Sequence, residues 1–160
     1  MAPKKLKLYL DTSVLGYAVN PRNRARRDEA RVLLSQIRNG SFIGAFSSVT
    51  EEEVKAAPPR IAQRLLRKMM WAGLKRVRIW NRGLAEELAE QYCDQGVIPE
   101  EFLDDARHIA IATLWGAHAV VSYNFKHLVR LETIVAVNAI NEEAGLDEIV
   151  ICQPKEVILP

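Results

Sequence analysis

The sequence has few of the features that mark secreted, zinc-binding or membrane proteins. It contains only two cysteines, Cys93 and Cys152, which lie far apart and outside any CxxC or Cys/His spacing. This scarcity argues against a disulfide framework and against a zinc site, and it favours a reduced, cytoplasmic protein. No run of about 20 apolar residues is present, so neither secretion nor membrane insertion is expected.

Excess charge is also scarce, because 22 Lys and Arg stand against 20 Asp and Glu and leave a formal net charge of +2. Net charge therefore does not by itself indicate a nucleic-acid-binding protein, and the distribution of basic residues matters more. Repeats, linkers and low-complexity segments are missing as well. With 160 residues and 49% hydrophobic composition, residues 1–160 are expected to form a single domain with its own core.

Apolar periodicity predicts strands and helices that alternate along the chain. Strands are expected at residues 6–10, 42–46, 76–80, 119–122 and 149–152. Helices are expected at residues 26–39, 50–56, 61–72, 84–95, 101–115 and 131–144. This alternation implies crossover connections, and therefore a parallel sheet covered by helices on both faces. The predicted fold class is a three-layer α/β/α sandwich.

Acidic or amide residues follow three of the predicted strands, at the end of the sheet where parallel α/β proteins bind their ligands. Asp11 directly follows the first strand, and the run 51–53 follows the second. Asp104 and Asp105 begin the helix before the fourth strand, and Asn124 follows that strand. Carboxylates gathered in one cleft repel each other unless a cation lies between them. Mg²⁺ or Mn²⁺ is the expected cofactor, and hydrolysis of a phosphodiester is the expected chemistry.

Four motifs occur in a fixed order: YLDTS at residues 9–13, SVTEEEV at 48–54, DDARHIAIA at 104–112 and VVSYNFKHL at 120–128. Together they resemble the motifs of the PIN-domain family, especially its compact VapC-like toxins. Each motif alone is a weak signal, whereas the order and spacing of all four make a strong one. The resemblance implies a PIN-like fold and a metal-dependent endoribonuclease that hydrolyses RNA.

The resemblance also implies which residues act. Asp11, Glu53, Asp105 and Asn124 match the metal-ligand positions, with Asn124 at a position often held by Asp. An amide oxygen coordinates a cation but does not neutralise its charge. The implied partners are RNA, a cognate antitoxin of a type II toxin–antitoxin pair and a second copy of the chain in a homodimer. A housekeeping RNA-processing nuclease and a catalytically silent PIN module that binds RNA or protein are the alternatives.

Other interpretations of the acidic residues remain open at this stage. Asp11 would be a helix cap, although Thr12 and Ser13 offer adequate caps without it. Thr12 and Ser13 would either cap the helix only or also assist a metal-bound water. The charges at 51 and 52 suit a solvated first turn, whereas the motif frame selects Glu53. Asp104 is either a helix-start charge or a carboxylate that orients ligands.

Histidine, tryptophan and the basic clusters have simpler readings. His108 and the three tryptophans, Trp71, Trp80 and Trp115, are expected to pack. Lys126 and His127 are expected beside the cleft, and His127 is expected to pack or to form a backbone hydrogen bond. A first basic cluster comprises Arg22, Arg24, Arg26, Arg27 and Arg31, and a second comprises Arg60, Arg64, Arg67, Lys68, Lys75, Arg76 and Arg78. The first cluster, which follows Asp11 closely, is the preferred candidate for contacts to RNA phosphates.

Overall fold

The computed structural model describes residues 4–79 and 81–160. The strands in these ranges are β1 (Lys7–Leu10), β2 (Ile43–Phe46), β3 (Lys75–Arg76), β4 (Ala119–Val121) and β5 (Val150–Cys152). The helices are α1 (Thr12–Val19), α2 (Arg24–Arg38), α3 (Ser48–Ala56), α4 (Pro59–Ala72), α5 (Arg82–Asp94), α6 (Leu103–Trp115) and α7 (Leu131–Glu143). Single 3₁₀ turns lie at Glu100–Phe102 and Pro154–Glu156.

The described strands form one parallel sheet in the order β3-β2-β1-β4-β5. In the register of this sheet, Tyr9 of β1 lies opposite Ala45 of β2, and Leu10 lies opposite Val121 of β4. Helices cover both faces. The predicted three-layer α/β/α architecture with a central parallel sheet is therefore confirmed.

Two hydrophobic cores fill the spaces between the sheet and the two helical layers. Because side chains alternate along a strand, Leu8 and Leu10 enter the core under α1, α2 and α4, whereas Tyr9 enters the core under α5, α6 and α7. All three side chains are fully buried. Among the helices of the described ranges, none combines the length and the apolar character needed to cross a membrane.

Local hydrogen bonds explain where α3 begins. Ser47 is the N-cap, since its Oγ accepts from the backbone N–H of Val49 at 3.2 Å. The hydroxyl of Thr50 accepts in return from the backbone N–H of Ser47 at 3.4 Å. The helix therefore starts at Ser48 instead of the predicted residue 50.

The third strand is much shorter than predicted. A strand was expected at residues 76–80, but β3 contains only Lys75 and Arg76, both exposed at the edge of the sheet. Val77 extends the pairing by one hydrogen bond, from its N–H to the carbonyl of Phe46 at 2.8 Å. Trp80, the predicted end of this strand, lies outside the described residues. The chain beyond Val77 thus leaves the sheet early and passes over its carboxyl edge.

The two described tryptophans differ in how far they pack. Trp115 packs against the core under α5, α6 and α7, with the ammonium of Lys7 4.0 Å from a ring centroid. Trp71 is 42% exposed on α4, with the guanidinium of Arg38 4.8 Å from a ring centroid. Packing is confirmed for Trp115, whereas Trp71 is only partly covered.

We expect Gly44→Ala to destabilise the protein, because α2 packs too closely on β2 to admit a side chain. An added Cβ would lie 2.7 Å from Ile37 Cδ1 and 2.8 Å from Leu74 Cδ2, and overpacking of this kind costs about 1–3 kcal/mol. Gly16→Ala in α1 is the control. Nothing lies within 4 Å of its added Cβ, so it should stabilise the helix by about 0.5–1 kcal/mol. Urea melts measure both, and a Gly44→Ala protein as stable as wild type would show that this contact is loosely packed.

Candidate functional site

The carboxyl edge of the sheet gathers the candidate residues. Asp11 follows β1 and Asn124 lies beyond β4, and these two strands pair directly. The chain leaves β1 towards β2 on one side, whereas β4 lies on the other side, so the topological switch point of the sheet falls between β1 and β4. Open α/β sheets bind ligands at this place.

Asp11 is buried at the junction of β1 and α1, with 4% exposure. Its Oδ1 accepts hydrogen bonds from the backbone N–H of Ser13, at 2.9 Å, and from the Ser13 hydroxyl. Its Oδ2 accepts from the hydroxyl of Ser122 at 2.6 Å. Asp11 is therefore itself the N-cap of α1, and the expectation that Thr12 and Ser13 would cap without it is wrong. Burial raises the pKa of the Asp11 carboxyl, and His108 and these hydrogen bonds oppose that rise.

Asp105 reaches the same region from the first turn of α6. Its Oδ2 accepts a hydrogen bond from Nδ2 of Asn124 at 3.0 Å. Burial, followed by the charges of Asp11 and Glu53, raises the pKa of Asp105 to about 6, although His108 and Asn124 act in the opposite direction. The three carboxylates are thus close enough to act on one another electrostatically, as expected where acidic side chains gather in one cleft.

Glu53 enters from α3 and is held by a buried histidine. Nε2 of His108 lies 2.5 Å from Glu53 Oε1, and Nδ1 of His108 lies 2.6 Å from the hydroxyl of Tyr9. The Tyr9 hydroxyl lies 2.6 Å from Oγ of Ser47. This chain of hydrogen bonds joins α6, β1 and α3, and His108 is 1% exposed.

The packed and satisfied histidine expected at His108 is confirmed, but its partners were not predicted. Burial alone would lower the pKa of His108, yet Tyr9, Glu53 and Asp11 raise it. The pKa of His108 therefore lies well above the ordinary histidine value of 6.5. One signal was available in the sequence. His108 follows Asp105 by three residues, which places both side chains on one face of a helix.

The other acidic candidates turn away from this region. Glu51 pairs with Arg76 at 2.6 Å, and Glu52 is exposed. Asp104 pairs with Arg107 at 2.8 Å, so it is an ion-paired charge in the first turn of α6. Of the run 51–53, the structure brings only Glu53 close to His108 and Asp105. Glu53 is also the residue that the motif frame selects.

Thr12 and Ser13 have different surroundings. The hydroxyl oxygen of Thr12 is buried and has no hydrogen-bond partner among the described residues. Such a group costs about 1–3 kcal/mol unless water or a bound group satisfies it. The Ser13 hydroxyl contacts Asp11 and accepts from the backbone N–H of Tyr123 at 2.9 Å, so it links α1 to the segment after β4.

The oxygen donors and the crowded negative charge fit a hard cation such as Mg²⁺ or Mn²⁺. In residues 4–79 and 81–160, however, no group of three or more His, Cys, Asp or Glu side chains is placed so that it could hold a metal ion. Oxygens of Asp11 are already hydrogen-bonded to Ser13 and Ser122, and an oxygen of Glu53 is hydrogen-bonded to His108. Because Mg²⁺ usually binds one or two carboxylates and keeps several waters, the arrangement fits a cation held partly through water.

The loop after β4 closes one side of the site. Asn124 is engaged at both ends of its amide, since Oδ1 accepts from the backbone N–H of His127 at 3.0 Å while Nδ2 contacts Asp105. The His127 ring lies on Phe102, with centroids 4.0 Å apart, so the expectation that His127 packs is confirmed. Lys126 is exposed on the same loop.

The first basic cluster is largely occupied by contacts within the protein. The guanidinium of Arg26 lies 4.9–5.5 Å from the ring centroids of Tyr17, Tyr123 and Phe125. Arg24 and Arg27 both pair with Asp28, and Arg31 donates to a backbone carbonyl of α1. Contact between this cluster and RNA stays a prediction, and Arg26 is held next to the loop that carries Asn124.

Among the comparisons with known proteins, the one with solved structures finds a match, and this match shows the fold alone. No family model matches the sequence, and no curated protein matches it. The structure is similar to a chain in the crystal structure of VapBC2 from Rickettsia felis bound to a DNA fragment from their promoter. The two chains share 15% sequence identity and a TM-score of 0.56, over 91% of this chain and 97% of the other. The protein therefore has a PIN-like fold.

We expect Asp105→Asn to melt higher than wild type at pH 7 in the presence of a chelator. Folded wild type holds a proton on Asp105 up to about pH 6, whereas the unfolded carboxyl loses it near 3.8. Stability from this group therefore falls as the pH rises through that window, and the variant should lack the fall. Asparagine still accepts from Asn124, so the hydrogen bond is kept. Thermal melts at a series of pH values measure the effect.

Excess Mn²⁺ should reverse the order of the two melting temperatures. A ligand at 100 times its dissociation constant stabilises the native state by about 2.7 kcal/mol, and the variant should gain far less than wild type. Asp104→Asn is the control, because it removes a carboxylate that pairs with Arg107 outside the cluster. An Asp105→Asn protein that melts lower in chelator and gains as much from Mn²⁺ as wild type would show that Asp105 is structural.

Proposed function

We propose that the protein is a metal-dependent endoribonuclease and the toxin of a type II toxin–antitoxin pair. The observation that carries the proposal is the position of Asp11 and Asn124 after two paired strands at the switch point of a PIN-like sheet. Asp105 is hydrogen-bonded to Asn124, and Glu53 is held by His108 of the helix that carries Asp105. The four sequence motifs and the fold shared with a chain of the VapBC2 structure support it.

Each residue has a proposed role in RNA hydrolysis. Asp11, Glu53 and Asp105 hold Mg²⁺ or Mn²⁺, directly or through water, and Asn124 orients Asp105 through its Nδ2 hydrogen bond. When bound, the cation supplies Lewis acidity to the phosphodiester and to the attacking water. The unpaired hydroxyl of Thr12 is the proposed partner of that water, because it is the buried polar group at this junction without a protein partner among the described residues.

We also propose a cognate antitoxin as the protein partner and a second copy of the chain as a dimer partner. Support for the antitoxin comes from the similar structure, which is of VapBC2 bound to promoter DNA. A housekeeping RNA-processing nuclease of the same fold would use the same site. An adjacent antitoxin gene and growth arrest on expression, relieved by co-expression of that gene, distinguish the toxin from the housekeeping enzyme.

A silent PIN-like module that binds RNA or protein without cutting is the second candidate function. One observation favours it: both ends of the Asn124 amide are already engaged by Asp105 and His127, so a cation would have to share an oxygen that already accepts a hydrogen bond. In that case RNA would bind without metal-dependent cleavage.

Single substitutions should separate the acidic residues by role. We expect Asp11→Asn, Glu53→Gln and Asp105→Asn each to lower metal-dependent cleavage by at least about 100-fold, because even residues that only orient metal ligands cost about 10–100-fold. Asparagine caps a helix as well as aspartate does, so the loss in Asp11→Asn is not a loss of the cap. Glu51→Gln, which loses only its exposed contact to Arg76, should cleave at nearly the wild-type rate.

Sequencing of RNA ends after induced expression is the measurement, followed by single-turnover cleavage of the RNA that it identifies. Asp11→Asn expressed to the same level gives the background. New RNA ends that persist unchanged in Asp11→Asn, or that form in vitro in chelator, would exclude the proposed active site. Equal damage from Glu51→Gln and Glu53→Gln would show that the wrong glutamate was assigned.

We further expect Asn124→Asp to tighten binding of Mn²⁺ while it destabilises the metal-free protein. The new carboxylate adds attraction for a cation, but it replaces the Nδ2 donor to Asp105 with a like charge. Calorimetric titration measures the affinity, and melts in chelator measure the stability. Weaker Mn²⁺ binding in the variant would place residue 124 outside the metal's reach.

A further inference from the structure

A groove of about 500 Å³ lies beyond the carboxyl ends of β2 and β3. It is next to the acidic site, by which we mean Asp11, Glu53, Asp105 and Asn124, and none of these four residues lines it. Its walls are the first turn of α3, the segment after β3, and helices α5 and α6. We propose that this groove binds the RNA strand beside the cleaved phosphate, with phosphate on Arg78 and Arg82 and a base on the apolar floor. The inference rests on the proposed nuclease function and assigns a substrate subsite to it.

Position is the first argument. Ser47 lines the groove, and its Oγ is the end of the hydrogen-bond chain that runs through Tyr9 and His108 to Glu53. Glu52 lines the groove, while its neighbour Glu53 reaches the acidic site. Neighbouring strands lie about 4.8 Å apart, so the space beyond β2 and β3 is roughly 5–10 Å from β1. An RNA strand at the acidic site would pass over this groove.

Charge is the second argument. Four arginines line the groove, and two of them are neutralised: Arg76 pairs with Glu51, and Arg107 pairs with Glu86 and Asp104. Arg78 and Arg82 are exposed and form no ion pair with a carboxylate of the described residues. Glu52 and Glu86 also line the groove, so four arginines stand against two glutamates and the lining keeps an excess of two positive charges. That excess suits a polyanion, and the planar guanidinium binds phosphate through two donors.

The floor is the third argument. Val49, Val77 and Ala85 are nearly buried and, together with Ile79 and Ile111, give the groove an apolar surface beneath the arginines. Unstacked RNA bases stack on aromatic rings or on guanidinium planes while cationic side chains hold the backbone. Among the lining residues of this groove the arginines supply such planes, and the apolar floor supplies van der Waals contact. An acidic segment of a protein would match the same charges. The position of the groove at the same carboxyl edge of the sheet as the acidic site favours RNA, because a substrate strand bound at that site can extend along this edge.

The test measures RNA binding in an Asp105→Asn background, where cleavage is suppressed. The probe is a fluorescein-labelled RNA of mixed sequence, roughly 12 nucleotides long, which is within the range of single-strand site sizes. Fluorescence anisotropy at several salt concentrations gives the affinity and its salt dependence. Arg78→Ala with Arg82→Ala should weaken binding and flatten the slope of log K against log salt by about 1.4, since each phosphate contact contributes about 0.7 for single strands.

Arg60→Ala with Arg64→Ala is the matched control, because it removes the same charge from the exposed surface of α4, away from the groove. Ser48→Leu tests the floor, since its side chain would occupy the groove without a change of charge and without an aromatic ring on which a base could stack. It should weaken RNA binding at every salt concentration and leave the slope unchanged. Thermal melts confirm that each variant is folded.

The outcomes separate the subsite from the proposed function. A slope change no larger than in the α4 control, or Ser48→Leu with wild-type affinity, would overturn the subsite even if the wild type cuts RNA. Loss of binding to an oligoglutamate peptide with unchanged RNA binding would assign the groove to an acidic protein segment instead. A groove-dependent slope in a protein that never cleaves RNA would uphold the subsite and overturn the nuclease.

Discussion

The burial of Asp11 between two parallel strands is the constraint on which the site depends. Its carboxylate caps α1 and accepts from Ser122 beyond β4, so it fastens the two strands together at the switch point of the sheet. Burial raises the pKa of Asp11, and the burial of Asp105 likewise raises the pKa of Asp105, because neither charge is fully solvated. A group that ties the fold together therefore also creates unfavourable electrostatic energy there, and a cation would relieve it.

The fold was predictable from the sequence because its signals are local. Apolar periodicity places the strands and helices, and Pro59 and the glycines after the helices mark many of their ends. The motif frame likewise selected Glu53 over Glu51, and the structure places Glu53 beside His108 while Glu51 binds Arg76. The relative positions of residues within one helix or one strand follow directly from their spacing in the sequence.

The connections between distant residues were not predictable. His108 contacts Tyr9 across 99 positions of sequence and Glu53 across 55, and no spacing rule links them. The length of β3 was missed for a related reason, because it depends on the pairing with β2 in three dimensions. The cap of α1 is local, since Asp11 and Ser13 are two residues apart, and it was missed because Asp, Thr and Ser are all competent caps. The basic residues divide in the same way, since Arg26 is enclosed by aromatic rings whereas Arg78 and Arg82 project beside a groove.

The shortness of β3 limits how another chain can attach to this molecule. A peptide that extends a sheet needs a row of free backbone N–H and C=O groups along an edge strand. At β3 that row is two residues long, and both carry cationic side chains. Recruitment by strand addition is therefore disfavoured at this edge, and an inhibitor evolved or designed against this side of the sheet would have to grip side chains in a groove.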